Sequence, residues 1–409
     1  MQDLAPDLFS PDAHKRWYET YRELQERAPV YKVPGLEMFI LTRYDDIAAV
    51  IRDSATFSNE ADRHGGEPLL MFDEARQIFA QRGWPKAFPL AVDPPDHRKY
   101  RALINPFFMG AALERTRPLI ERHVHALIDS FVDAGEIDFV SAFAEHLPAL
   151  VITDLLGLPR EDIEQLKAWS FAWAAPFARG LSREQEIWVA EEGVAFQQYL
   201  KRHIDDRRAH PRDDLISKLA EARLDDGRLL DDGEIIQTLD HLYIGGNETT
   251  AYALTSGLWL MLREPEIYAR LKADPGLIRT FVEESMRLES PTQGLYRTAT
   301  RDTRIGDVAI PKGATLHLRF AAANRDASVF PEPDRIDLQR PNAMRHMAFS
   351  QAEHHCPGAG LSRLEQTIAF AALIERLPDL RLTPGGNSFD HMPGFVLRAL
   401  KSLHVSFGR

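Results

Sequence analysis

The chain contains a single cysteine, Cys356, among its 409 residues. Because a disulfide needs two cysteines, a secreted scaffold held by internal disulfides is excluded. Long apolar runs are also missing, since no uncharged stretch approaches the roughly 20 residues that a membrane-spanning helix needs. The N-terminal segment lacks the basic and apolar regions of a signal peptide. These absences predict a cytoplasmic protein that is not inserted in a membrane.

An excess of positive charge is absent as well. The chain carries 49 lysines and arginines against 61 aspartates and glutamates, for a formal net charge of −12. This balance argues against a general nucleic-acid-binding protein. The sequence has no internal repeat, flexible linker or glycine-rich dinucleotide fingerprint. It therefore predicts one domain over residues 1–409, without a flavin or nicotinamide module of its own.

Apolar residues at three- and four-residue spacing dominate residues 95–290 and recur over 362–377, which predicts helices. Residues 30–44 predict a hairpin, residues 297–320 predict short strands, and strand-like segments follow near the C-terminus. Asp231, with Glu234 three residues later, predicts the capped start of a long helix. The expected fold is mainly α with small β-sheets.

Cys356 lies in the segment MAFSQAEHHCPGAGLSRLEQ, ahead of the helix that is predicted near Ser362. A nearby helix N-terminus favours a thiolate over a thiol, and a thiolate serves as a nucleophile or a metal ligand. His354, His355 and Cys356 are too few and too contiguous for an ordinary zinc site. On this segment alone, a Cys–His hydrolase, a thiolate-ligated metal centre and an inert buried thiol stay equally open.

The same segment resembles the haem-binding loop of the cytochrome P-450 family, whose pattern is Phe-x-x-Gly-x-x-x-Cys-x-Gly. Phe349, Cys356 and Gly358 match this pattern. The resemblance implies the family fold, a helix-rich lobe and a small β-rich lobe, with haem b between distal and proximal helices and Cys356 as the thiolate ligand to iron. Ser350 and Ala352 stand where the family usually has glycines. That departure predicts a strained or re-routed loop.

Two more motifs of the family concern the surroundings of the cofactor. Glu284-x-x-Arg287 resembles its buried ion pair, and Arg335 is the expected third, structural member of that network. In the segment DPPDHRKYRAL, His97 and Arg101 lie four residues apart, so they share one helical face. The resemblance implies that several side chains bind haem or its propionates: His97, Arg101, Gly245, Arg297, Phe349 and His354.

The segment Gly245-Gly246-Asn247-Glu248-Thr249 resembles the oxygen-activation motif of the family. Two adjacent glycines weaken a helix by about 1 kcal/mol each relative to alanine. Their presence indicates either close helix packing or a local widening that lets O2 lie against the helix. The resemblance implies the second interpretation, with Glu248 as the acid and Thr249 as the hydroxyl that relays protons during O2 activation.

Within the family, the sequence is most similar to the soluble bacterial branch that includes camphor hydroxylase. Pro85 stands where the camphor enzyme has the tyrosine that binds its ketone, so the expected substrate is a different small to medium hydrophobic molecule, terpenoid or norisoprenoid-like. The expected contacts come from four separate regions of the chain. They are Trp84, Phe88, His241, Ile244, Leu295, Phe395 and Val396.

The resemblance also implies O2 as co-substrate and electrons from a [2Fe-2S] ferredoxin with its NAD(P)H-dependent reductase. Arg98, Arg101, Arg345 and Arg363 are the arginines expected to dock that ferredoxin. Two other functions stay open, a peroxide-driven haem-thiolate peroxygenase and a non-catalytic haem-binding sensor. The Glu248-Thr249 pair favours a monooxygenase over both, because an acid–alcohol relay serves O2 activation.

Overall fold

The structure is a computed structural model that describes residues 8–9, 15–61, 70–84, 89–178, 181–392 and 394–408. Helices predominate in it, which confirms the expected mainly α fold. The α-helices of the described residues are α1 Trp17–Arg27, α2 Tyr44–Arg52, α3 Asp73–Arg82, α4 Asp96–Phe108, α5 Gly110–Phe131, α6 His146–Leu156, α7 Ile163–Ala174, α8 Arg183–Ala209, α9 Leu215–Glu221, α10 Asp232–Arg263, α11 Pro265–Ala273, α12 Ile278–Leu288, α13 Phe320–Ala323 and α14 Ala359–Arg376. The strands are β1 Val30–Lys32, β2 Met38–Leu41, β3 Phe57–Ser58, β4 Glu136–Asp138, β5 Leu295–Ala299, β6 Thr303–Ile305, β7 Val308–Ile310, β8 Thr315–Leu318, β9 Arg381–Leu382 and β10 His404–Ser406.

The chain divides into two compact units, each assembled from separate segments. The first unit comprises Met1–Pro68, Tyr252–Cys356 and Asp379–Ser406. The second comprises Leu69–Ala251, Pro357–Pro378 and Phe407–Arg409. Neither unit is one contiguous stretch of sequence, and the single domain over residues 1–409 stays a prediction.

The first unit contains a five-stranded sheet with the order β1-β2-β8-β5-β3. The predicted hairpin is confirmed, since β1 and β2 pair antiparallel with Tyr31 opposite Ile40. Strand β2 also pairs parallel with β8 and places Phe39 opposite Leu316. Both side chains are buried with Phe330 in one apolar cluster. The sheet therefore packs on a continuous apolar core. One of its strands, β5, contains Arg297.

The second unit consists mostly of packed helices. Helix α3 lies close to α8, because a Cβ atom at Gly193 would come within 2.6 Å of the Phe79 ring. The buried Glu186 carboxylate accepts hydrogen bonds from the backbone N–H groups of Met71 and Phe72, at 2.9 and 2.8 Å. These contacts fasten the segment that runs into Trp84 onto the long helix α8.

Helix α10 begins where the sequence predicts it. Asp231 accepts a hydrogen bond from the Glu234 backbone at 2.9 Å, and the Glu234 carboxylate accepts one from the Asp231 backbone at 2.8 Å. Although burial would raise it, hydrogen bonds from Arg228 help lower the pKa of Glu234 to about 2. The ionised capping box stabilises the first turn of this helix. None of the helices in the described residues is long and apolar enough to cross a membrane.

Candidate active site

Cys356 ends a short loop in the first unit. Its backbone N–H donates a hydrogen bond of 2.9 Å to the Phe349 carbonyl, and a single 3-10 turn, Ala352–His354, lies between them. Phe349 is buried, whereas the Cys356 residue is only partly buried. The loop therefore has a fixed closing bond, and Cys356 at its end retains partial exposure.

Two residues of this loop have a left-handed backbone. The φ angle is 56° at Ser350 and 53° at Ala352. For a residue with a Cβ atom this conformation costs about 1–2 kcal/mol. They are the two positions at which the family usually has glycine. The loop thus keeps a backbone path suited to glycine with two residues that are strained in it, which confirms the strained loop expected from the sequence.

The Glu284–Arg287 pair is fully buried on α12. Its members are joined by two hydrogen bonds, at 2.7 and 3.0 Å, and both side chains have 0% exposure. The guanidinium of Arg287 also donates to the carbonyls of Asn324 and Pro333, at 3.0 and 2.6 Å. The pair therefore anchors the segment that leads to the cysteine loop, as the motif implied.

The third side chain of this network is Arg340, and the expectation of Arg335 was wrong. Arg340 Nε lies 3.0 Å from Glu284 Oε1, and its side chain is 5% exposed. Arg335 is 65% exposed and pairs with Glu332 at 3.1 Å. Only the Arg335 carbonyl enters the network, where it accepts from Arg287 at 3.0 Å. The chain turns between Arg335 and Arg340. Arg335, although nearer to Glu284 in the sequence, therefore points its side chain to solvent.

The four candidate propionate-binding side chains lie two in each unit. His97 is buried on α4, and Arg101 lies one turn later with its Nε 2.9 Å from Asn105 Oδ1. In the first unit, Arg297 is buried on β5 and donates to the Tyr296 carbonyl at 2.7 Å. His354 is half-buried in the cysteine loop. Each unit thus contains one candidate histidine and one candidate arginine.

The glycine pair on α10 serves two different purposes. A Cβ atom at Gly246 would lie 3.2 Å from Ile152 of α6, so this glycine permits close helix packing. Gly245 is exposed in the middle of the helix, and a Cβ atom there would meet only His241, at 4.0 Å. The Thr249 hydroxyl donates to the Gly245 carbonyl at 2.7 Å. The open position beside Thr249 is where a ligand can approach the helix backbone.

Glu248 has a defined partner on the neighbouring helix. The hydroxyl of Ser170, fully buried on α7, donates to Glu248 Oε1 at 3.0 Å. The side chain of Glu248 itself is half-buried. Ser170 was missed in the sequence, because nothing in its surroundings marks it as a neighbour of α10.

The expected substrate contacts differ in accessibility. Trp84 and His241 are half-buried, Ile244 is 4% exposed, and Leu295 is 37% exposed. Phe395 and Val396 are 0% and 1% exposed, and the Phe395 ring packs against Phe9 and His317 at centroid distances of 4.7 and 4.6 Å. This packing favours a core role for both. Phe88 lies outside the described residues.

Two polar residues on α10 were not recognised in the sequence. Gln237 and Asp240 are 3% and 4% exposed, although both are strongly polar. Burial raises the pKa of Asp240 to about 8, and burial lowers the pKa of the adjacent His241 to about 4. Near neutral pH both groups are therefore uncharged. A polar residue inside an apolar helical pattern was the only signal available.

Comparison with known proteins identifies the family. The family model for cytochrome P-450 matches residues 182–275 and 276–403. Cytochrome P-450 107B1 from Saccharopolyspora erythraea is 33% identical over 404 residues, covering 98% of this chain and 96% of the relative. The chain belongs to the cytochrome P-450 family. The 6-deoxyerythronolide B hydroxylase of the same organism is 32% identical and covers 98% of both chains. The crystal structure of cytochrome P-450 CREJ in complex with (4-ethylphenyl) dihydrogen phosphate superposes with a TM-score of 0.90 at 28% identity, over 99% of this chain and 98% of that one.

The fold and the class of enzyme expected from the sequence are confirmed by these likenesses. This P-450 is a haem-dependent monooxygenase of the bacterial type, and its cofactor is haem b. Its residues fit that cofactor, because the thiolate of a partly buried cysteine such as Cys356 is a soft ligand suited to iron, and the exposed Gly245 leaves the α10 backbone open. The likeness to the camphor hydroxylase branch stays a prediction.

Proposed function

We propose that Cys356 is the thiolate ligand of the haem iron in this P-450. The observation that carries this assignment is the left-handed backbone of Ser350 and Ala352. Strain persists in a native protein where the surrounding structure holds it, and it concentrates at functional sites. The cysteine is the only thiol in the chain, and its loop is closed by the bond to Phe349. When bound, a thiolate-ligated haem supplies O2 activation and oxygen insertion.

Two histidines and two arginines are proposed to bind the haem propionates. His97 and Arg101 share one face of α4 in the second unit, and Arg297 and His354 belong to the first. A buried arginine such as Arg297 is stabilised by a carboxylate that it can bind through two hydrogen bonds. Arg297→Leu is therefore expected to lower haem retention on gel filtration. Arg304→Leu, at an exposed arginine, is the matched control.

Glu248 and Thr249 are proposed to deliver protons at the open stretch of α10. With its own proton donated to the Gly245 carbonyl, the Thr249 oxygen presents lone pairs that accept a further hydrogen bond. Ser170 holds the Glu248 carboxylate on the α7 side, so Glu248 rotates away from Ser170 when it passes a proton on. The two residues hold and move protons, and they form no covalent bond to substrate.

The substrate of this proposal is a small to medium hydrophobic molecule, terpenoid or norisoprenoid-like. Trp84, His241, Ile244 and Leu295 are the described side chains proposed to contact it. A panel of such compounds is expected to include members that shift the haem from low spin to high spin. If none of the panel shifts it, this substrate class is wrong.

The electrons are proposed to come from a [2Fe-2S] ferredoxin and its NAD(P)H-dependent reductase. Arg98 is exposed on α4, and Arg345 is exposed in the first unit. Charge reversal of Arg98 is expected to slow ferredoxin-supported turnover and to weaken its dependence on salt. Charge reversal at Arg304, an exposed arginine outside this group, is the control. Equal loss in both variants would contradict the docking role.

The carbon monoxide difference spectrum of the reduced protein tests the central assignment. The wild-type protein is expected to give the strongly red-shifted band of thiolate ligation. Cys356→Ser is expected to lose that band, because a serine hydroxyl does not replace a thiolate. His355→Ala, at the exposed neighbouring residue, is expected to retain it. A thiolate band that persists in Cys356→Ser would overturn the assignment.

A further inference from the structure

Helix α10 carries a stripe of polar side chains toward α7 and the Trp84 segment. Gln237, Asp240, His241 and Glu248 recur at spacings of three, four and seven residues, so they lie along one side of the helix. Contacts within the second unit show what covers this side. The His241 ring lies 6.4 Å from the Trp173 ring of α7, and Glu248 binds Ser170 of the same helix. Gln237 binds the Trp84 carbonyl.

The orientation of the Gln237 amide is fixed by its partner. A backbone carbonyl only accepts hydrogen bonds, so the Nε2 group of Gln237 must face the Trp84 oxygen. The Trp84 peptide is held on its other side as well, where its N–H donates to Gln197 Oε1 at 2.9 Å. Gln237 Oε1 is consequently left as a buried acceptor, and it has no hydrogen-bond partner among the described residues.

Asp240 follows one turn later with a second unsatisfied group. Asp240 is only 4% exposed, and its Oδ1 has no hydrogen-bond partner in the described part of the chain. A carboxyl buried without a cation or donor beside it is stable only in its protonated form. Asp240 then offers one O–H donor and further acceptor capacity.

Leaving two such groups unsatisfied costs stability, so each is expected to pair with bound water or with a ligand. A ligand group that pairs with both residues must donate to Gln237 Oε1 and accept from the Asp240 carboxylic acid. A hydroxyl group does both. A ketone oxygen satisfies Asp240 and leaves Gln237 unpaired. A hydrocarbon satisfies neither.

We propose that Asp240 and Gln237 form a specificity site for a hydroxyl group on the hydrophobic substrate of this P-450. The proposal rests on the proposed monooxygenase function and narrows its substrate class to apolar alcohols. At 1.5 Å per residue, Asp240 lies roughly 8 Å along α10 from Gly245 and roughly 14 Å from Thr249. The hydroxyl is therefore a recognition group distant from the carbon that is oxidised.

The test uses matched ligands on the haem-loaded enzyme. The pairs are β-ionol with β-ionone, borneol with camphor, and cyclohexanol with cyclohexanone, together with the amine and the hydrocarbon of each skeleton. Dissociation constants are measured from the spin-state change and, independently, from the rise in melting temperature. We expect at least one alcohol to bind about tenfold more tightly than its ketone, since a ketone leaves a buried acceptor unpaired. If no alcohol is preferred to its ketone, or if the amine binds best, the proposal fails.

Three variants separate recognition from general damage. Asp240→Leu is expected to remove the preference for the alcohol, whereas Asp240→Asn keeps a donor and an acceptor and retains it. Thr238→Val is the matched control, because the partner of the Thr238 hydroxyl among the described residues is the Glu234 carbonyl of its own helix, at 2.7 Å. A preference that survives in Asp240→Leu overturns the proposal. A missing thiolate band with carbon monoxide marks failure of the monooxygenase function instead, so the two failures are distinguishable.

Discussion

The hydroxyl of Thr249 and the carbonyl of Gly245 are joined by a hydrogen bond of 2.7 Å across one turn of α10. A threonine that bonds back to the carbonyl four residues earlier is common in helices, but here the carbonyl belongs to an exposed residue in the helix centre. The bond orients the Thr249 oxygen toward the open stretch of the helix. The proposed role of the Thr249 hydroxyl in proton delivery can be tested separately from its role in helix structure.

Thr249→Ala is expected to uncouple the enzyme. Without the hydroxyl, product formed per NAD(P)H falls by about tenfold or more, and hydrogen peroxide release rises, since a positioned proton donor contributes at least that much. The ratio of product to peroxide under ferredoxin-supported turnover measures the effect. Thr250→Val is the control, because the adjacent Thr250 hydroxyl bonds to Ser362 at 3.2 Å instead. Full coupling in Thr249→Ala would contradict the relay.

Glycine at the two strained positions is expected to stabilise the cysteine loop. Ser350→Gly and Ala352→Gly each remove a conformational cost of about 1–2 kcal/mol. The greater freedom of glycine in the unfolded chain offsets about 0.5–1 kcal/mol of this. The free energy of unfolding is therefore expected to rise by about 0.5–1 kcal/mol per site, which is measured as a higher melting temperature. Ala348→Gly, where φ is not positive, is expected to lower it. Equal shifts in all three variants would show that the strain is not energetically important.

The two arginines of the structural network are expected to differ sharply. Arg340→Met leaves the buried Glu284 carboxylate with one cation fewer, and breaking a buried pair costs about 3–5 kcal/mol. Arg335→Met removes an exposed pair worth less than about 1 kcal/mol. Chemical denaturation of the two variants compares them directly. A larger loss in Arg335→Met would restore the assignment made from sequence.

Asp240→Asn is expected to stabilise the protein most at alkaline pH. In the folded protein the Asp240 carboxyl has a pKa of about 8, whereas its ordinary value, which applies to the unfolded chain, is 3.8. At a pH between these two values the carboxyl is protonated in the folded state and ionised in the unfolded state. The folded state thus binds more protons between about pH 4 and 8, so this group makes stability fall as pH rises through that window. Asparagine does not titrate, and the advantage of the variant grows by at most about 1.4 kcal/mol per pH unit.

Melting temperatures at pH 5 and pH 8 measure this difference. His241 acts in the opposite direction, since its lowered pKa reduces stability as pH falls from about 6.5 towards 4. It is present in both proteins and cancels in the comparison. Thr238→Val, which removes no ionisable group, is the reference for a pH-independent change. If Asp240→Asn is stabilising to the same extent at both pH values, the pKa of Asp240 is not raised, and the carboxyl has a hydrogen-bonding or cationic partner in the folded protein.

The features predicted well from the sequence are those set by local spacing. The capping box of Asp231 and Glu234 and the hairpin of β1 and β2 depend on residues a few positions apart, and both are confirmed. The strain in the cysteine loop was expected from the family resemblance, because Ser350 and Ala352 stand where the family usually has glycine. Such features are decided by backbone sterics and short-range hydrogen bonds, which the sequence displays directly.

The features that were missed depend on where distant segments meet. Arg340 and Arg335 are five residues apart, and only the path of the intervening turn decides which guanidinium reaches Glu284. Ser170 is 78 residues from Glu248, and no pattern in the sequence links them. Asp240 lies in a helical stretch whose periodicity is clear, but periodicity does not show that this polar position is buried.

The alternation of the chain between its two units determines how this enzyme can be recombined with its relatives. A chimera made by joining the first half of one parent to the second half of another would divide both units. Exchanging Leu69–Ala251 together with Pro357–Pro378 would instead transfer almost all of one unit intact. The parent that supplies Cys356 would then differ from the parent that supplies Glu248 and Thr249. A chimera with these four junctions therefore takes the proposed metal ligand from one parent and the proposed proton relay from the other.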